Sequence, residues 1–156
     1  QKSVELGANR IIPVLCQRSN TKLSTEKQSK KLAHWRKVAI SACEQSGRSV
    51  IPDITDILSL NDFEIGMNKI LDQDAFKINL SPGSGASLRD MTPKNTSKSR
   101  LAIEVFIGPE GGLNSEETLL LQDNNFKSIC FGPRILRTET AGPAVISALQ
   151  ILWGDF

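Results

Sequence analysis

Histidine is almost absent from this chain: His34 is the only one among 156 residues. One imidazole leaves little room for a Ser-His-Asp hydrolase triad, and no G-x-S-x-G elbow is present. Cysteine is scarce too. Cys16, Cys43 and Cys130 form no CxxC pair, and a single histidine cannot complete a zinc set with them, so a metal site is not expected. Three thiols in apolar contexts read as reduced and buried, as in a cytoplasmic protein. No Gly-Lys-Ser/Thr occurs, which excludes a phosphate-binding P-loop, and the Gly83–Gly85 pair lacks the third glycine of a dinucleotide fingerprint. No apolar run reaches the roughly 18 residues of a membrane helix, so no membrane partner is expected. The opening QKSVELGANR is polar from its first residue and carries no visible signal peptide; starting without Met, it reads as a fragment or a trimmed chain. Repeats and low-complexity segments are also missing.

What is present fits one soluble domain with a real core, at 39% hydrophobic and 23% charged residues. The net charge is +2, but it is unevenly spread. Residues 1–50 hold ten Lys/Arg against three acids, and residues 101–156 hold three against seven. A basic first half is compatible with nucleic acid and equally with a solvated helix face.

Strand and helix patterns alternate. Arg10–Cys16 reads as a buried strand with a proline that hints at an edge or bulge. Lys22–Ser46 reads as a helix: Leu32, Trp35, Val38, Ala39 and Ala42 share a face, Lys27, Lys30, Lys31 and Lys37 lie largely opposite, and Gly47 ends it. Val50–Ile54 reads as a short strand, about Asp62–Leu71 as a helix, and Phe76–Leu80 as a strand. A polar loop over Ser81–Arg100 follows. Leu101–Ile107 reads as a central strand and Ser128–Phe131 as another. Asn114 and Glu117 make a capping-box pattern at the start of a helix. A last helix runs over about Glu139–Trp153, with Pro143 expected in its first turn. This alternation predicts an α/β fold with a mainly parallel sheet, whose ligands bind beyond the carboxyl ends of the strands.

Three strand-end loops have unusual composition: SPGSGASL (Ser81–Leu88), GPEGG (Gly108–Gly112) and GPRILRTETAG (Gly132–Gly142). Glycine lets backbone turn sharply or approach a ligand, and proline stiffens the same turns. Such loops present fixed N–H and C=O groups able to read an adenine edge or ribose hydroxyls. The last loop mixes Arg134, Arg137, Glu139, Thr138 and Thr140 with Ile135 and Leu136, more than a solvent-facing connection needs. Glu116–Glu117 sit at a helix start, where carboxylates favour the helix dipole.

The runs IGPEGGLNSEE, FGPRILRTETA and ISALQILWGD resemble the RsmE-type 16S ribosomal RNA uridine-N3 methyltransferases of the SPOUT superfamily. QKSVELGANRIIPV, QRSN and ISACEQSGRSVIPDI resemble the same family in the same order, so the likeness spans about residues 1–156 as one SPOUT methyltransferase domain. Two departures stand out. The family's small N-terminal PUA-like barrel is absent from this chain, and a histidine that often precedes the proline of the first loop is Ser81.

The resemblance implies a SPOUT fold with a C-terminal trefoil knot, a homodimer, S-adenosyl-L-methionine as cofactor, and methylation of a uridine N3 in 16S rRNA of the small ribosomal subunit. By resemblance the cofactor meets Leu80, Ser81, Pro82, Ile107, Gly108, Pro109, Gly111, Gly112, Phe131, Gly132, Ile135 and Leu136. Arg137, with Glu110 or Glu139, is the expected catalytic set, and Glu139 is equally readable as a helix cap. Arg18, Gln45, Arg48, Arg134 and Thr138 are the expected RNA contacts, with lysines of the Lys22–Lys37 array on phosphates. Without the barrel, the chain is expected to bind cofactor but methylate poorly. Two alternatives stay open: another SPOUT enzyme acting on tRNA or a ribose 2′-hydroxyl, and a non-catalytic RNA-binding domain.

Overall fold

A computed structural model describes residues 1–19, 24–62, 70–93 and 101–156. The expected helix over about Asp62–Leu71 and the end of the polar loop lie largely outside the described residues.

Three strands form the sheet that positions the site: β5 (Phe76–Leu80), β6 (Ile103–Ile107) and β7 (Lys127–Ile129). They are parallel, in the order β6-β5-β7. The chain lays β6 on one side of β5, then crosses back to lay β7 on the other. That reversal opens a crevice at the carboxyl ends, where ligands bind in open α/β sheets. Leu80 pairs with both Ile107 and Ile129, so all three strands end level and their loops emerge together.

Each face of the sheet is covered. On one, Ile78 and Ile129 pack against Val145 and Leu149 of the last helix, Thr138–Trp153. On the other, Phe106 packs with Leu121 and Phe126, next to the helix Ser115–Asp123, and with Leu60 and Leu71. Among the described residues the α-helices, in chain order, are α1 (Lys2–Glu5), α2 (Thr25–Ser46), α3 (Ser115–Asp123) and α4 (Thr138–Trp153). A separate cluster joins α1 to α2 through Val4, Leu32, Ala39, Ala42 and Cys43.

The expected strand over Arg10–Cys16 is in fact two short ones, β1 (Arg10–Ile11) and β2 (Val14–Leu15). They pair in parallel with β3 (Asp53–Ile54) and β4 (Leu58–Ser59). Ile11 to Val14 spans three steps while the partners Ile54 to Leu58 span four, so one extra residue bulges out opposite Pro13. Pro13 has no N–H to give, but its carbonyl still accepts from Leu58 N–H at 2.9 Å. The last helix also starts one residue earlier than its sequence suggested, and Pro143, its sixth residue, lies in the second turn rather than the first. Its neighbour Gly142 explains what that turn does: a Cβ there would stand 3.3 Å from Ile107 Cδ1, so glycine lets α4 lie against β6.

The capping box expected at Asn114 is present. Asn114 Oδ1 accepts from Glu117 N–H at 2.7 Å, and Glu117 Oε2 accepts from Asn114 N–H at 2.9 Å. Glu117 Oε1 also accepts from Gln17 N–H at 2.7 Å, so a carboxylate only 2% exposed ties the start of α3 to the segment around Gln17. Its loss would leave buried N–H groups unpaired, at a cost of about 1–3 kcal/mol each.

At the opposite end of the sheet, Lys77 faces Glu104 across the β5–β6 pair. Lys77 is buried, with its Nζ 5.9 Å from the Phe126 ring centroid. Glu104 Oε1 accepts from Asp72 N–H at 2.7 Å, while Oε2 is buried without a partner. Burial raises the Glu104 pKa, and the Asp72 N–H and Lys77 pull it only partly back. A carboxyl whose folded pKa is raised gives its full stability below the unfolded value and loses it as pH climbs through the folded one. Glu104→Gln should therefore match the parent in thermal stability near pH 4 and exceed it near pH 7, as read by unfolding midpoints across that range.

Candidate active site

The three loops that leave β5, β6 and β7 enclose one cleft of about 910 Å³. That is the scale of a small-molecule or cofactor site. Leu80, Ser81, Pro82 and Gly83 line it from the first loop; Ile107, Gly108, Pro109, Glu110, Gly112 and Leu113 from the second. Cys130 through Thr138 contribute the third wall, and Asn79, Thr118 and Ala141 complete it.

Nearly all of the residues expected at a cofactor thus meet in one place. Leu80, Ser81, Pro82, Ile107, Gly108, Pro109, Gly112, Phe131, Gly132, Ile135 and Leu136 are all in the lining. Gly111 is not among them; it faces Arg18 instead, as described below. Arg137, Glu110, Arg134 and Thr138 line the cleft, whereas Glu139, Arg18, Gln45 and Arg48 do not. Glu139 is the second residue of α4 and lies 4.0 Å from Arg137 Nη1, an exposed pair of small energetic weight. The N-cap position belongs to Arg137, which makes no side-chain cap, so neither Glu139 nor either threonine holds that place. Glu139 still favours the helix dipole from the first turn.

Arg48 is occupied elsewhere. Its guanidinium donates to Val4 O at 2.5 Å, to Ala8 O at 2.9 Å and to Asn9 Oδ1 at 3.1 Å, bolting the α1 segment onto the end of α2. Gln45 is exposed near the same end of α2. Along that helix Lys27, Lys30, Lys31 and Lys37 are exposed as its pattern suggested.

The walls combine two chemistries. Leu80, Ile107, Phe131 and Leu136 supply apolar surface, while Ile135 stands 83% exposed, more open than an aliphatic side chain is in a finished interface. The polar floor includes Asn79, which sequence reading missed. Its carboxamide is 2% exposed; Nδ2 donates to Ser128 Oγ at 3.2 Å and Oδ1 has no partner. Buried polar atoms are seldom left unpaired. Apolar walls with a few polar groups among them suit a ligand that carries both kinds of surface. The available signal was an asparagine inside the otherwise strand-like FKINL.

The cleft's third wall is firmly held. Ser81 N–H donates to Ile129 O at 2.9 Å and Cys130 N–H to Ala86 O at 2.8 Å. Ser84 Oγ donates to Ser128 O at 2.7 Å, and Ser87 bridges Cys130 in parallel. The end of β7 is therefore flanked on both sides by one continuous stretch, β5 and the loop that follows it.

An α/β domain whose parallel strands deliver three glycine-bearing loops to one cleft at the carboxyl edge has the layout of open-sheet ligand-binding domains. More specifically, the chain belongs to the RNA methyltransferase domain family, whose model matches residues 1–150. It is 36% identical over 155 residues to ribosomal RNA small subunit methyltransferase E of Buchnera aphidicola subsp. Schizaphis graminum, covering 99% of this chain and 59% of that protein. The Bacillus subtilis protein of the same name is 36% identical over 166 residues, with 99% and 62% covered. Among solved structures, the ribosomal RNA small subunit methyltransferase E from Neisseria gonorrhoeae bound to S-adenosyl methionine superposes with a TM-score of 0.85 at 37% identity, covering 99% of this chain and 60% of that one. A putative methyltransferase from Legionella pneumophila, in complex with the bound cofactor SAM, gives 0.87 at 35%, with 100% and 60% covered. The chain thus spans about three fifths of the length of these relatives.

Cys16 lies beside this site under α3. Burial first, and the Glu117 charge second, push its thiol up to about 11. Only the thiolate is nucleophilic, so alkylation of Cys16 by iodoacetamide at pH 8 should be far slower than that of a free thiol. Peptide mass mapping over time reads this directly, and rapid labelling of folded chain would contradict it.

Proposed function

We propose that this chain is the catalytic domain of an enzyme that methylates N3 of a uridine in small-subunit ribosomal RNA, with S-adenosylmethionine as methyl donor. The observation that carries the reading is the cleft itself. The loops singled out by composition converge on it, within a fold that superposes on two structures holding that cofactor.

The bound donor supplies an electrophilic methyl group on a sulfonium. Leu80, Ile107, Phe131 and Leu136 hold its apolar parts, and the backbone of the Gly108–Gly112 and Phe131–Leu136 loops gives direction. The neutral imide nitrogen of uridine is a poor nucleophile, so its proton must leave before or during attack. Arg137, at the cleft and 83% exposed on its side chain, stabilises the negative charge that builds on the O2 and O4 oxygens. Glu110, exposed at the same rim, accepts the proton or orients Arg137. Arg134 and the exposed lysines of α2 meet RNA phosphates.

The trefoil knot and a homodimer belong to the same proposal. The knot is supported by the position of β7's end, held between Ser81 on one side and Ala86 on the other, so that the chain running to α4 leaves through the bight between them. Exposed Ile135 at the cleft supports a second subunit close to it, and exposed Ile151 and Leu152 at the far end of α4 offer further apolar surface.

Nucleoside mass spectrometry of small-subunit RNA from a strain lacking the gene should show loss of one N3-methyluridine, and an unchanged profile would refute the assignment. Arg137→Ala should lower methylation by roughly 100-fold, the scale of one lost transition-state donor. Cofactor affinity should stay within a few-fold, and full activity of the variant would remove Arg137 from the mechanism.

A further inference from the structure

The Cys16–Ser19 turn is a rigid piece remote in sequence from the cleft. Cys16 N–H donates to Ser19 Oγ at 2.9 Å, and Ser19 N–H to Cys16 O at 3.0 Å. Gln17 is keyed to α3 twice: its N–H donates to Glu117 Oε1 at 2.7 Å, and its side-chain oxygen accepts from Asn114 Nδ2. Arg18 then reaches the glycine loop. Its Nη1 donates to Gly111 O at 3.2 Å and lies 3.5 Å from Leu113 O. The two backbones touch here. A Cβ on Gly111 would stand 3.2 Å from Arg18 Cβ and 3.3 Å from Arg18 O, so it would push the two segments apart by a few tenths of an ångström.

The peptide plane makes that contact consequential. The plane whose carbonyl faces Arg18 also carries Gly112 N–H, and a planar peptide cannot turn one group without the other. Gly112 N–H closes a turn onto Pro109 O at 2.9 Å. Gly108, Pro109, Glu110 and Gly112 all line the cleft. Arg18 thus grips from outside the turn whose inner side forms the cleft wall.

Resting on the functional reading above, we infer that Arg18 is a positioning residue for the cofactor, acting through the Pro109–Gly112 turn rather than by touching RNA. Gly111 belongs to the same device as the point of close approach. Both contacts are made by the single nitrogen Nη1, and a lysine side chain, one bond shorter, places its ammonium short of that point.

The test compares the parent with Arg18→Ala, Arg18→Lys and Gly111→Ala. S-adenosylmethionine is titrated calorimetrically, a labelled uridine-containing RNA is titrated at several salt concentrations, and Gly112 amide exchange is followed in the ligand-free chain. Arg18→Ala should weaken cofactor binding about tenfold, the effect of losing one or two such hydrogen bonds. Gly111→Ala should act in the same direction, and Arg18→Lys should recover only part of the loss. Gly112 exchange should quicken in Arg18→Ala, while RNA affinity and its salt slope stay within about twofold of the parent. Parent-like cofactor binding in Arg18→Ala, with weaker RNA binding and a shallower salt slope, would overturn the inference and make Arg18 an RNA contact. A parent chain that binds no cofactor would instead overturn the functional reading, and this inference with it.

Discussion

Parallel pairing of β5 with a neighbour on each side is the constraint on which the site depends. Because β6 and β7 run the same way as β5 and end level with Leu80, three loops must leave from one edge. Each loop needs glycine and proline to turn there, and together they make a cleft that none encloses alone. The packing on both faces serves that pairing. Val145 and Leu149 of α4 cover one side and Leu121 and Phe126 the other.

The hydrogen bonds around the cleft divide into an inner and an outer set. The inner set joins Ser81 to Ile129 and Cys130 to Ala86, fixing the exit of β7 between two parts of one loop. The outer set runs through Glu117, whose two carboxylate oxygens hold Gln17 and Asn114. A buried carboxylate is costly unless its lone pairs are filled, and here the filling groups are the backbones that frame the glycine loop. The same carboxylate helps keep Cys16 protonated, so a thiol near the site stays chemically quiet.

The sequence already marked much of this arrangement. Phe76–Leu80 was legible because FKINL is short, strand-forming and bounded by a proline-glycine turn, and the Asn114–Glu117 cap because its spacing has a local mechanism. The three loops stood out by composition, and their meeting follows from parallel strands. What stayed hidden was non-local. Pro13 hinted at a bulge, but the extra residue lies on the partner between Ile54 and Leu58, which the sequence near Pro13 does not show. Arg48 was expected to meet RNA only because it matches a family motif position; its donors serve Val4, Ala8 and Asn9, which the packing of α1 on α2 brings near. Thr118 and Leu113 reach the cleft from α3 and the segment before it, a contact fixed by how α3 sits on the sheet.

Amide chemical-shift mapping during a titration with S-adenosylmethionine locates the cofactor site. A cofactor held among these three strand-end loops should concentrate perturbations at Leu80–Gly83, Ile107–Leu113 and Cys130–Thr138, with Asn79 and its side-chain amide shifting as well. Saturable shifts confined to other parts of the chain, or none at millimolar cofactor, would contradict that placement.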